Sequence, residues 1–371
     1  MKSSSVSSPN VENTEEVRWH HVLDPSLIAH SHINPLSSSF LHPTQATLAR
    51  KDPNSNEEFL WTSRNQRKNR HIKYTPNTKS RHGSSLLVGL GHMVRIEYWN
   101  VSWWLTLNVI QAFTLGSVVW VINGFYSFLP FVDSSFANSV SGIGWSAWVG
   151  ATIFEFGAIL GVLEAWNRGD TANFGWGVSR ALGYKDDNDT EAQGNTEFDR
   201  DAPGSSNNSV QAKTKLVRKR KWMWYSTDPK YWHELGFLAA FVQFWAATIF
   251  WISGFTALPE IQNTISTETG VQDGTFWTPQ VVGGTGFIIS STLLILETQK
   301  KWYIPNLLSL GWQIAIWNFI GAVGFTLCGA LGYASATSTK AAYQSSLCTF
   351  WGGWAFLIGS VLQWYEAVNS V

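Results

Sequence analysis

Four glutamates, Glu155, Glu164, Glu297 and Glu366, stand inside or at the ends of long apolar stretches. A carboxylate there is costly to hold as an ion in lipid, so it points to cation binding or proton relay unless water or a cation relieves it. Three of the four share a frame. Glu164, Glu297 and Glu366 each close a series of small residues at seven-residue steps: Gly150 and Gly157, Gly283 and Ser290, Gly352 and Gly359. If the segments carrying them pack around a threefold axis, the three carboxylates form an acidic ring at one depth. The reading the sequence favours is plainer: each lies near a helix end, where it can snorkel to water or pair with Arg168 or Lys300. Glu155, flanked by Phe154 and Phe156, lies deeper and has no counterpart. It is the better single candidate for a buried functional carboxylate.

Other chemistry is sparse. Arg218, Lys219, Arg220 and Lys221 run into Trp222, Trp224 and Tyr225, a basic and aromatic collar suited to anionic lipid headgroups. The ordinary alternative is a topology determinant beside an aromatic belt. His20, His21, His30, His32 and His42 lack paired ligand spacing, so no metal site is expected. Cys328 and Cys348 both lie in apolar stretches and are expected to be free thiols. No phosphate loop, nucleophile elbow or dinucleotide fingerprint occurs, so neither a catalytic residue nor a cofactor is expected. A formal net charge of zero argues against nucleic acid as a partner.

The elements that must position these residues are membrane spans. The chain holds 22 Trp and 22 Phe with only 14% charged residues, yet its mean hydropathy is -0.06, because a polar beginning offsets long apolar stretches. No apolar run follows Lys2, so an internal span is expected to start insertion. Six stretches approach the roughly 20 residues needed to cross a bilayer: 101–128, 141–166, 235–258, 281–296, 310–333 and 346–368. All 26 Lys and Arg except Lys340 fall before the first span, between the second and third, or between the fourth and fifth. The opposite connections carry Asp133, Glu260, Glu268 and Asp273. Both termini are therefore predicted to be cytoplasmic, in a plasma membrane or endomembrane. On that topology the sequons at Asn100, Asn188 and Asn207 stay unglycosylated.

Residues 1–98 read as a largely disordered cytoplasmic tail, with an interfacial helix over 85–98. Hairpins then occupy 99–167, 231–298 and 310–371, separated by a polar cytoplasmic loop, 168–230, and a short link, 299–309. The expected fold is all-α: six transmembrane helices as three repeated two-helix hairpins. In the even spans a Phe precedes the middle small residue by three: Phe154, Phe287 and Phe356. A seven-residue step drifts only about 20° around a helix, so Gly150, Gly157, Gly283, Ser290, Gly352 and Gly359 mark helix-packing seams. The odd spans pair small residues eight apart: Gly116 and Gly124, Ala246 and Gly254, Gly321 and Gly329. An aromatic sits four before the second: Trp120, Phe250 and Phe325. That spacing turns the second glycine by about 80°, so one seam is not expected there.

The third hairpin, with Trp317-Asn318-Phe319-Ile320-Gly321 and Phe350-Trp351-Gly352-Gly353 followed by Phe356 and Gly359, resembles the YrhK-like two-helix membrane hairpin. The whole chain resembles Trp-rich integral membrane proteins of filamentous fungi. Neither resemblance implies a catalytic activity. The expectation is thus a non-enzymatic multi-pass protein with a structural or interaction role. Its partners would be the lipid bilayer, anionic headgroups and further copies of itself. The alternative is a channel or transporter for ions or small solutes that uses the intramembrane carboxylates.

Overall fold

The computed structural model describes residues 27–50, 58–68, 72–74, 86–94, 104–167 and 222–369. Four strands come first: β1 Leu27–Ile33, β2 Gln45–Arg50, β3 Glu58–Thr62 and β4 Ile72–Tyr74, with a short helix α1, Ser63–Arg67, between the last two. Helix α2 is Leu86–Val94. The long helices are α3 Trp104–Val132, α4 Val140–Trp166, α5 Leu235–Thr256, α8 Thr278–Thr298, α9 Leu310–Gly332 and α10 Thr339–Val368. Between α5 and α8 lie α6 Pro259–Ile265, α7 Thr269–Gln272 and a π turn, Asp273–Trp277.

Among the described residues, six helices are long and apolar enough to cross a membrane. Their outward faces carry Leu115, Ile122, Phe156, Trp245, Ile252 and Ile289, all well exposed. In water such a surface would drive aggregation, whereas lipid accepts it. Two spans outrun their apolar cores. The fourth continues back through Thr278, and the sixth begins at Thr339 rather than near 346. Hydropathy stops where Gln280 and Ser345 begin, but the backbone has no reason to unwind there.

The six helices close into a ring in chain order, each packed on the next and α10 back on α3. The small residues explain how. Within each hairpin the even helix lays its seam on its own odd helix. A Cβ at Gly150 would lie 2.9 Å from the Trp120 indole nitrogen, one at Gly283 2.7 Å from Phe250 Cβ, and one at Gly359 2.8 Å from Asn318 Oδ1. Ser290 substitutes for glycine by donating its hydroxyl to the Ala239 carbonyl, at 2.8 Å. The odd helices use two seams. Gly116 and Gly321 meet Phe154 and Phe356 of their own hairpins, while Gly124, Gly254 and Gly329 pack on Phe350, Ala151 and Val281 of a neighbouring hairpin. The 80° offset thus aims one small residue inward to its partner and the other across to the next pair, which closes the ring.

On the axis six aromatic rings form a septum. Trp120, Phe250 and Phe325 make one triangle, with ring centres 4.7–5.6 Å apart. Phe154, Phe287 and Phe356 stack against it, with Phe356 centred 5.6 and 6.3 Å from the other two.

Part of the tail expected to be disordered is folded. The strands pair as an antiparallel meander, β1-β2-β3-β4, with Ala46 and Leu48 of β2 buried. Its strands are too short and too sparsely apolar to announce themselves, and they lean on the bundle. The His42 amide donates to the His233 carbonyl at 2.7 Å, and the Trp302 amide donates to the Pro35 carbonyl at 3.1 Å. Helix α2 lies over the last turn of α10, where Asn369 bonds His92 Nδ1 and the Gly89 carbonyl. Its Val88, Leu90 and Val94 stay exposed.

Candidate functional site

The carboxylates of Glu164, Glu297 and Glu366 come together at the end of the bundle that faces the sheet. Each ends an even helix at its C-terminal turn, the electrostatically unfavourable place for an anion. Water does not reach two of them, and of the two cations named from the sequence only Lys300 falls among the described residues. Glu164 and Glu297 are each 3% exposed, Lys300 is exposed, and Arg168 lies outside the described residues.

The relieving charges come from the amino-terminal segment. Thr62 caps α1 by accepting from the Asn65 amide at 3.1 Å. The short helix that follows carries Arg64 and Arg67, with Lys68 next in line, and the spacing i, i+3, i+4 places three cations on one face. Arg64 grips Glu366 with two hydrogen bonds, Nε to Oε1 at 3.2 Å and Nη2 to Oε2 at 2.8 Å. Lys68 reaches the same Oε2 at 3.0 Å. Arg67 Nη2 donates to Glu297 Oε2 at 2.7 Å, and the Ser63 hydroxyl donates to its Oε1 at 2.9 Å. Burial works against the Arg64 charge, but Glu366, with Glu297 and Glu164 behind it, more than reverses this and holds its pKa above the ordinary arginine value. The guanidinium therefore stays charged in the site.

Beneath this plug lies a cavity of about 80 Å³. Its walls come from the same frame positions in all three hairpins: Phe113, Gln243 and Asn318 from the odd helices, and Ala158, Ser291 and Ser360 from the even ones. Its floor is Phe154, Phe287 and Phe356. Beyond the septum a larger chamber, about 670 Å³, opens toward the hairpin turns.

The other candidates fall elsewhere. Glu155 sits where α4 meets α5, off the axis and outside both cavities. One oxygen accepts from the Thr248 hydroxyl at 3.0 Å, while the other is buried with no hydrogen-bond partner. Its depth is as read from the sequence, but it does not join the three-carboxylate ring. Gly157 and Gly352 pack within their hairpins like the other seam residues, against Ala112 and Phe325. Arg218, Lys219, Arg220 and Lys221 lie outside the described residues. The aromatics that follow them are in place: Trp224, Tyr225 and Trp232 are exposed at the plugged end, and Asn167 clamps the Met223 backbone with two bonds of 2.8 Å. Cys328 and Cys348 are free and buried. Among the described residues no group of three His, Cys, Asp or Glu side chains is placed to hold a metal ion.

The sequence reading missed Ser63, Arg64, Arg67 and Lys68. Their signal was the cation spacing just after a Thr cap, in a tail otherwise without periodicity.

No match to this chain is found among known protein families, curated proteins or solved structures.

Proposed function

We propose that this chain is a non-enzymatic, multi-pass membrane protein with an interaction role, in which the bundle holds the amino-terminal sheet domain against one membrane face. The observation that carries this reading is the pairing of Glu297 and Glu366, from the second and third hairpins, with three cations of one short turn, while Glu164 of the first hairpin adds to the negative field at Arg64. The hairpins act as one socket, and on this view each is a YrhK-like unit. Both termini then lie on the cytoplasmic side, where the basic run at 218–221 meets anionic headgroups. Further copies of the chain and the bilayer itself are the other partners, and nucleic acid is not one.

Trypsin cleavage of the protein in lipid nanodiscs tests the docking. Arg64, Arg67 and Lys68 should resist cleavage in the wild type and become sites in a Glu297→Ala, Glu366→Ala variant. Equal cleavage in both proteins would remove the basis of the proposal.

A specific observation favours a second reading, a gated conduit: Gln243, Asn318, Ser291 and Ser360 line an axial cavity where lipid-facing helices have no need of polar groups. The plug and the septum would then be two gates in series. Cation flux into liposomes that rises when Arg64, Arg67 and Lys68 become Ala, and falls again on adding Glu164→Gln, would favour the conduit over the socket.

A further inference from the structure

We propose that the chamber at the turn end is a binding site for an uncharged organic molecule, mostly apolar and carrying a hydroxyl or carbonyl along one edge. This inference rests on the chamber alone and stands apart from the docking of the amino-terminal domain.

Its volume, about 670 Å³, falls in the range of small-molecule sites. It is built by the fold rather than left over from poor packing, because its walls repeat with the threefold frame. Asn123, Ser253 and Cys328 each precede the second glycine of their odd helices, and all three line it. Ala147, Gln280 and Thr349 hold one equivalent position of the even helices. One turn farther out, Gly144, Trp277 and Ser346 share another, and Ile143, Phe276 and Ser345 a fourth.

Position is shared but chemistry is not, and the differences define the ligand. The even helix of the first hairpin gives a small apolar wall, Ile143, Gly144 and Ala147. The second contributes rings, Phe276 and Trp277, set by the π turn Asp273–Trp277, a distortion that recurs at functional sites. Trp277 is fixed against Gly332, where any Cβ would collide with its ring. The third hairpin supplies hydroxyls. Thr349 donates to Cys328 Sγ at 2.9 Å, Gln280 to the same sulfur at 3.0 Å, and Ser345 to the Cys328 carbonyl at 2.9 Å. Asn123 and Ser127 on the adjoining odd helix of the first hairpin extend this polar side, so an asymmetric molecule has a favoured orientation, its polar edge where the third hairpin meets the first and its body against the rings and the small wall.

Charge is excluded. The lining contains no Asp, Glu, Lys, Arg or His, although Asp133, Glu260, Glu268 and Asp273 lie on the segments around the mouth. An ion would lose its hydration here with no countercharge to replace it. Below, Trp120 and Phe250 form the floor, so the molecule stops at the septum.

A matched pair of photolabels tests this in nanodiscs. 4-(Hydroxymethyl)benzophenone is neutral, and 4-benzoylbenzoate differs in replacing its alcohol by a carboxylate. On irradiation the neutral label should attach saturably to peptides holding Phe276–Trp277 and Ser345–Thr349, at least tenfold more than the carboxylate does. Ser346→Trp, which fills the chamber, should reduce that labelling at least tenfold. Ala147→Leu, from the opposite wall, should reduce it in the same direction and guards against misfolding of the first variant. Ile289→Trp on the lipid face should leave it unchanged. Labelling that does not saturate, spreads over lipid-facing helices, ignores both filling variants or is equal for the carboxylate overturns the proposal.

Discussion

The two ends of the bundle are built on one frame and filled with opposite chemistry. At the sheet end, equivalent positions carry Glu164, Glu297 and Glu366, and a turn of the same chain brings charges to meet Glu297 and Glu366. At the turn end, equivalent positions carry amides, hydroxyls, rings and small residues, and the space between them is an uncharged chamber. The septum of Trp120, Phe154, Phe250, Phe287, Phe325 and Phe356 keeps the two apart. Backbone geometry is therefore set by the small residues at the seams, while the identity of each axial side chain is left to vary. One end keeps its three positions alike, and a multivalent cationic turn draws on the negative charge gathered there. The other diverges, and three unlike walls can orient a single asymmetric molecule.

The sharpest way to break the comparison is to strip charge from the sheet end on one side of a pair. Glu297→Ala leaves Arg67 buried against Gly236 without its ion-pair partner, and losing one partner of a buried ion pair costs about 3–5 kcal/mol. Thermal unfolding in nanodiscs should show it as a large fall in midpoint. Replacing both partners together, Arg67→Met with Glu297→Leu, should cost far less, because no uncompensated charge remains. If the single and double variants fall equally, the pair is not the source of the stability.

A smaller loss is expected from the seams that both ends share. Gly283→Val sets methyl groups against the Phe250 backbone and the Ala246 carbonyl, each 2.8 Å from a Cβ at that position. Overpacking of this kind costs about 1–3 kcal/mol. Gly161→Ala is the control, since a Cβ there meets nothing within 4 Å. In a helix interior it should be neutral or stabilise by up to about 1 kcal/mol. Equal destabilisation by the two would mean that close approach at the seam is not what the small residues provide.

How far these features could be read from the sequence follows from the range over which each is encoded. The spans are written locally, as runs of apolar residues, and the helices α3, α4, α5, α8, α9 and α10 match them within a turn or two at each end. The frame of small residues and aromatics is also local, and the septum follows once Trp120, Phe250 and Phe325 are set beside Phe154, Phe287 and Phe356. The acidic ring was visible as three glutamates in register, but its partners were not. Arg64, Arg67 and Lys68 sit in a polar stretch where, among the described side chains, Ala46 and Leu48 are the buried apolar residues of the strands, and Glu297 and Glu366 are more than two hundred residues away. Complementarity over that distance leaves no periodic trace. Glu155 shows the converse: its depth along the helix is legible, whereas the face it occupies, against Thr248 of α5, depends on which neighbour the helix finds.

At the turn end the expected effects are smaller still. Thr349→Val removes one donor to Cys328 while keeping the side chain's shape, and a single hydrogen bond of this kind contributes about 0.5–1.5 kcal/mol. Gln280 remains to serve the same sulfur, which sets the loss at the low end of that range.

The smallest effect belongs to a pair at the sheet end that only resembles the plug. Lys230 Nζ lies 2.9 Å from Asp228 Oδ2, a distance as short as those of the buried pairs, yet its side chains are 33% and 43% exposed. Water already solvates both charges and salt screens them, so Lys230→Ala should change stability by about 0–1 kcal/mol, toward the lower bound. The difference from Glu297→Ala then isolates burial, because distance and charge type are held nearly constant. A loss at Lys230 as large as that at Glu297 would show that the strength of the plug comes from ion pairing in general and owes nothing to the enclosure that the three hairpins supply.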